Sequence, residues 1–263
     1  MTTDPALPRC PRDLCLVSCR AITASDTGGR LRYQHSSHTN RPDMTPLFFD
    51  LDGTLTDPKP GITRSIQYAL RKLDRAVPSE DELTWCIGPP LRASLQKLLG
   101  DEDLADRALA LYRERFADLG LYENQLYPSI AGTLAGLATS RRRMFVATSK
   151  PHVYAERIIA HFGLADCFEH VFGSELDGTR TDKTELLRHA LSVTGVDPAQ
   201  TIMIGDRSHD MVAARNNDMT AVGVLYGYGS HAELVEAGAH RLCAAPEDLI
   251  AHIEINQSPR ADE

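Results

Sequence analysis

A parallel α/β sheet with helices on both faces, interrupted by an all-helical insert, is the fold class that the sequence predicts. Three observations predict it. Short apolar runs recur after residue 45, and most lead into segments whose apolar side chains keep helical spacing. Acidic and hydroxyl side chains gather where those runs end, at 50–52, 148 and 206. Residues 59–125 carry helical periodicity with no convincing strand between. With 263 residues, 42% of them hydrophobic, the chain can bury a large core and a smaller insert, which excludes a disordered or collagen-like protein.

Residues 1–43 mix Pro5, Pro8, Pro11 and Pro42 with Ser, Thr and six Arg, show no apolar period, and read as a disordered extension. Organised sequence begins just after Met44, which is expected to be the true or an alternative start. Leu47-Phe48-Phe49 then forms a buried strand opening onto Asp50-Leu51-Asp52-Gly53. Within 59–125, Ile62, Ile66, Leu70 and Leu73 share one helix face, and Leu104, Ala108, Tyr112, Phe116 and Leu119 another. Tyr127-Pro128-Ser129 leads into a helix at 130–137. Runs at 144–147, 171–172, 201–204 and 221–224 predict further strands. Segments 152–162, 183–193, 209–216 and 231–237 predict helices, with Gly163, Gly195 and Gly238 as C-terminal stops. The alternation gives a Rossmann-like parallel core over 44–58 and 126–256, a helical insert over 59–125 and a flexible tail at 257–263.

The net charge of −8 gives no global attraction to a nucleic acid polymer or an anionic membrane, so an anionic ligand needs a local site. The apolar runs are far shorter than a bilayer span. Cys10, Cys15 and Cys19 lack the paired spacing of a zinc site and read as reduced thiols; with no secretory signal, the cytoplasm is expected. A monomer or homodimer is expected.

Asp50 and Asp52 stand at the carboxyl end of a buried strand, where ligands of open α/β sheets bind. The run 201–204 ends likewise in Gly205-Asp206-Arg207-Ser208-His209-Asp210, and a four-residue spacing in a first helical turn puts Asp206 and Asp210 on one face. If the two strands are neighbours, Asp50, Asp52, Asp206 and Asp210 converge, and such a set requires a cation; oxygen ligands suit Mg²⁺. Thr148 and Lys183, at two more strand-to-helix junctions, offer a hydroxyl and an ammonium to a phosphate. Other readings stand beside these. Asp and Gly build ordinary turns, Thr148 would cap a helix, and Asp210 suits a helix N-terminus. Of the five Lys, Lys150 lies beside Thr148; it and His209 read as surface or gating residues, and Arg180 as a solvated loop charge. Trp85 and Cys86 read as packing.

In these residues the sequence resembles the haloacid dehalogenase superfamily of phosphotransferases. DLDGTLTD at 50–57 looks like its first motif, Thr148 its second, Lys183 its third and GDRSHD at 205–210 its fourth. The resemblance covers about residues 45–255. It implies that Asp50 attacks phosphorus to form an aspartyl phosphate, and that Asp52 protonates the leaving oxygen and then activates water. It further implies Mg²⁺ on the side chains of Asp50 and Asp206 and the backbone carbonyl of Asp52, with Asp210 close by or linked through water.

The 98 positions separating Asp50 from Thr148 exceed any simple strand-to-helix connection, so a folded unit occupies them. In the family a helical domain at this point acts as a cap, and Ile87-Gly88-Pro89-Pro90-Leu91 resembles a loop of phosphoglycolate phosphatase-like caps. A small phosphate monoester is therefore the expected substrate, phosphoglycolate first. A nucleoside 5′-monophosphate is the alternative, followed by phosphomutase, protein tyrosine kinase and non-catalytic binding readings. Arg92 or Arg64 either meets the substrate or is a solvated helix charge.

Overall fold

The computed structural model describes residues 45–254; the expected extension at 1–43 and tail at 257–263 lie outside them. In chain order the elements begin with β1 (Leu47–Phe49), β2 (Thr56–Asp57), α1 (Lys59–Lys72), α2 (Leu91–Leu99), α3 (Glu102–Arg115), β3 (Gln125–Leu126) and α4 (Ile130–Thr139). They continue through β4 (Met144–Pro151), α5 (His152–His161), β5 (His170–Ser174), α6 (Lys183–Thr194), β6 (Ile202–Gly205) and α7 (Ser208–Asn216). The chain closes with β7 (Thr220–Val224), α8 (His231–Glu236), β8 (Arg241–Cys243) and α9 (Leu249–Glu254).

Six strands form one parallel sheet in the order β5-β4-β1-β6-β7-β8. From β1 the chain builds outward through β4 and β5, then crosses back to lay β6 on the other side of β1. That reversal leaves a crevice at the strands' carboxyl ends, beside β1. Side chains alternate between two cores, as a pleated strand requires. Phe48, Phe145 and Met203 pack with Leu186 and Leu187 of α6, Met211 of α7 and Leu234 of α8. Leu47, Phe49, Val146 and Ile204 pack with Leu134 of α4, Ile158 of α5 and Ile253 of α9 on the opposite face.

Helices α1, α2 and α3 form a separate layer between β2 and β3, and bury Ile62, Ile66, Leu70, Leu95, Ala108 and Tyr112. Helix α3 ends in a π-type turn, Phe116–Gly120. Gly61 and Gly120 let the backbones there touch, since a Cβ on Gly61 would lie 2.0 Å from the Gly120 oxygen. The antiparallel ribbon β2–β3, with Thr56 opposite Leu126, joins this layer to the sheet and straddles the expected boundary.

Two expectations change. The strand expected at 144–147 runs on to Pro151, because its ladder with β5 continues past Thr148 through an irregularity to the Pro151–Ser174 pair. Pro151 consequently ends the strand immediately before α5, and Thr148 is no helix cap. Helix α2, the ribbon β2–β3, β8 and α9 carry too short an apolar pattern to stand out in the sequence. Among the described residues no helix is long and apolar enough to cross a membrane.

Candidate active site

Strand β1 delivers Asp50 to the crevice, where its amide donates to the Ile204 carbonyl of β6 at 2.9 Å. The chain then turns tightly, with the amides of Leu55 and Thr56 donating to the Leu51 carbonyl and that of Gly53 to the Thr56 carbonyl. Gly53 has φ +85°, and a Cβ there would come 2.2 Å from Asp206 Oδ2, so conformation and space both demand glycine. Gly205 serves the β6 side, since its Cβ would meet Asp210 Cγ at 2.2 Å.

Asp50, Asp206 and Asp210 are all buried, and one oxygen of each lies within 4.8 Å of the others. Asp206 sits in the junction before α7 and Asp210 in its first turn, so they converge across a strand-to-helix junction instead of along one helix face. Asp206 Oδ2 accepts from the Tyr228 amide at 2.8 Å. Asp210 Oδ2 accepts from the Arg207 amide at 3.0 Å. Lys183 opens α6, whose N-cap Asp182 accepts from the Glu185 amide at 2.9 Å. Its Nζ lies 2.8 Å from Asp50 Oδ1 and 2.9 Å from Asp210 Oδ1. These short contacts make Lys183 the cation shared by the two buried carboxylates.

Burial pushes the Asp206 carboxyl up, and the negative charges of Asp210 and Asp50 add to it. Burial likewise pushes Asp210 up to about 6, against the pull of Lys183. For Lys183 burial disfavours the ammonium, but Asp210 and Asp50 outweigh it and hold the group above the ordinary lysine range. Three carboxylates against one ammonium leave two negative charges in a dry pocket when all are ionised. A divalent cation would balance that charge, and an all-oxygen donor set fits a hard ion.

Asp52 stands apart from this trio. Its carboxylate meets Lys150 Nζ with both oxygens at 2.8 Å, so its side chain is not among the converging metal-type groups. Burial raises the Asp52 carboxyl, and Lys150 works in the opposite direction. The surface or gating reading of Lys150 is therefore overturned: it is buried, reaching inward because the lengthened β4 carries it past Thr148. The apolar run into Thr148-Ser149-Lys150 was its only sequence signal. Thr148 is buried one residue beyond the level of Asp50 on the adjacent strand, and its hydroxyl accepts from the Lys150 amide at 3.3 Å. His209 is exposed, as expected, whereas Arg180 pairs with Glu175.

Beside Asp52 and Lys150 a cavity of about 300 Å³ separates the helical layer from the sheet. Ile62, Leu109, Tyr112 and Phe116 line one side, and Tyr154 the other. Arg92 lies on its wall but is paired through two hydrogen bonds with Asp106, at 2.6 and 2.9 Å. Arg64 is not among the lining residues and pairs with Glu80 and Glu123. Cys86 is buried packing whose thiol is pushed up to about 12, and Trp85 stacks under Lys97.

Known proteins share this sequence and arrangement. Residues 47–224 match the haloacid dehalogenase-like hydrolase family. A 5'-nucleotidase of Pseudomonas aeruginosa is 45% identical over 81% of this chain and 95% of its own. A tyrosine-protein kinase of Mycobacterium tuberculosis is 39% identical over 70% of this chain and 62% of its own. A phosphoglycolate phosphatase of Colwellia psychrerythraea is 26% identical over 73% and 89%. The crystal structure of a predicted phosphatase from Clostridium acetobutylicum superposes with a TM-score of 0.78 at 38% identity, covering 81% of this chain and 99% of that one. With its six-stranded parallel sheet and acidic crevice, the chain belongs to the haloacid dehalogenase-like hydrolases, as one of their phosphatases.

Proposed function

We propose that the protein is a Mg²⁺-dependent phosphomonoesterase that works through an aspartyl phosphate on Asp50. The observation that carries this reading is the convergence of Asp50, Asp206 and Asp210, with Lys183 shared by Asp50 and Asp210 and with Asp52 held apart on a different cation. The two acids of the first motif thereby have different surroundings and different tasks. Asp50 lies against Lys183 as an attacking carboxylate, while buried Asp52 is a group that both gives and takes a proton.

In the first step an Asp50 oxygen bonds to phosphorus as the ester P–O bond breaks, and the leaving oxygen takes the proton of Asp52. In the second, a water oxygen bonds to phosphorus, the bond to Asp50 breaks, and Asp52 takes the water's proton. Inorganic phosphate leaves and both side chains return to their starting forms. Lys183 and Thr148 hold the phosphoryl oxygens. Asp50 and Asp206, with Asp210 in support and the Asp52 carbonyl beside them, would hold Mg²⁺, which would supply positive charge against the transferring phosphoryl group. The helical layer over 59–125 serves as a cap that excludes bulk water and polymers.

For the substrate, the cavity supports a nucleoside 5′-monophosphate ahead of phosphoglycolate. Apolar and aromatic side chains such as Ile62, Leu109, Tyr112, Phe116 and Tyr154 supply much of its wall, which suits a flat base. The 45% identical 5'-nucleotidase points the same way. A screen of nucleoside monophosphates, phosphoglycolate and sugar phosphates with Mg²⁺, read by phosphate release, tests the order. Turnover of phosphoglycolate above every nucleotide reverses it, and isomerised product without free phosphate indicates a mutase. Asp50→Asn is expected to abolish p-nitrophenyl phosphate hydrolysis with unchanged circular dichroism; turnover retained by that variant defeats the nucleophile assignment.

A further inference from the structure

We propose that Lys150 is the positioning residue for the Asp52 carboxylate, and that Phe116 makes this positioning depend on the helical layer being docked. The inference rests on the aspartyl-phosphate reading above. Its ground is a second buried ion pair that the metal-type trio does not use. Lys150 Nζ lies 2.8 Å from both oxygens of Asp52, a symmetric contact that fixes the carboxylate in direction as well as position. Lys183 already serves Asp50 and Asp210, so the site holds two lysines with separate duties.

The backbone that carries Lys150 is itself fixed. Ser174 Oγ donates to the Ser149 carbonyl at 2.8 Å, and Gly173 leaves room for the Lys150 carbonyl, which a Cβ there would approach to 2.8 Å. The remaining face of the ammonium meets the Phe116 ring, 4.7 Å from its centroid. Phe116 comes from the other layer. It opens the π-type turn that follows α3, stacks on Tyr112 with centroids 5.1 Å apart, and meets Tyr154 of α5 edge-on at 5.5 Å. An interrupted helix of this kind is a frequent device for presenting one side chain at a working site. With the layer displaced, Lys150 exchanges the ring for water, which competes with Asp52 for its protons. The base is then aimed only in the closed site, where water attack on the phosphoenzyme is wanted.

Rapid mixing with p-nitrophenyl phosphate and Mg²⁺ separates this role from general support of the fold. p-Nitrophenolate leaves without a proton, so phosphoenzyme formation does not need Asp52, whereas phosphoenzyme hydrolysis does. Lys150→Met is expected to retain the burst of p-nitrophenolate and slow the steady rate about 100-fold, the typical consequence of misplacing a catalytic group by about 1 Å. Acid quench and mass spectrometry should find the phosphoryl group accumulated on Asp50. Phe116→Leu should show the same pattern at about tenfold, and it remains a test if Lys150→Met does not fold. Adding Lys150→Met to Asp52→Asn should cost nothing further.

Equal slowing of burst and steady rate, or additive losses in the double variant, overturns the role of Lys150. An unchanged steady rate in Phe116→Leu overturns its dependence on docking. Wild-type enzyme that never forms a phosphoenzyme on Asp50 overturns the parent reading, and this inference with it, before any variant is compared.

Discussion

At the ends of β1 and β6, backbone geometry sets the acidic side chains: Asp50 is pinned by the Ile204 carbonyl, Asp206 by the Tyr228 amide and Asp210 by the Arg207 amide. Across the cavity, α1, α3 and the π-type turn offer Ile62, Leu109, Tyr112 and Phe116, which are held by packing against one another. The first wall tolerates almost no change of shape, because Gly53 and Gly205 already stand closer to the carboxylates than any Cβ could. The second can be repacked at modest cost, since volume-conserving apolar swaps are the best-tolerated core changes. The acidic wall therefore sets the chemistry and the apolar wall the choice of ester, except at Phe116, which reaches across to Lys150.

The widest gap between the walls is expected from Asp206→Asn, which should lower Mg²⁺-dependent turnover by about 10²–10³-fold and reduce the Mg²⁺-induced rise in Tm. Normal Mg²⁺ stabilisation in that variant would remove Asp206 from the metal site. Gly53→Ala puts a side chain at φ +85° against Asp206, and should lose more than about 1 kcal/mol of stability together with most activity. Thermal unfolding and turnover measured on one preparation check both halves.

On the apolar wall, Tyr112→Leu should raise KM for nucleoside monophosphates about 2–10-fold and leave phosphoglycolate turnover nearly unchanged. An equal effect on both substrates would deny this wall a part in selection. A pH comparison sharpens the acidic wall. In metal-free protein Asp210 titrates at about 6 when folded, above its ordinary 3.8, so its folded form binds the proton more tightly. The stability this gives is complete below pH 3.8 and is lost as pH rises through about 6; Asp206, raised in the same direction, extends the loss upward. Because Mg²⁺ competes with those protons, its Tm increment should be larger at pH 8 than at pH 5. A larger increment at pH 5 would contradict the assignment. The smallest effect is expected from Arg92→Ala, whose exposed pair with Asp106 should matter less than about threefold in kcat/KM for any ester.

Much of the acidic wall was legible in the sequence because each of its members is local. A strand's end fixes where Asp50 and Asp206 emerge, and a helix's first turn fixes Asp210 and Lys183. The helical layer was legible as a class through Ile62, Ile66 and Leu70, whereas α2 escaped notice behind Pro89-Pro90 and a nine-residue length. Lys150 was misread for a different reason. Its neighbours in sequence are polar, and only the ladder between β4 and β5 and the ring of Phe116 turn it inward.

The alternation of strand and helix, the place of the insert, and the residue types able to meet a phosphate and a cation can be read along the chain, since period and terminus are properties of neighbouring residues. Folding in three dimensions divided the cations, giving Lys183 to Asp50 and Asp210 and Lys150 to Asp52. It also decided which aromatic rings face them. Those pairings join residues as far apart as 50 and 183, and spacing along the chain cannot encode a contact that exists only once the sheet has brought its strands side by side.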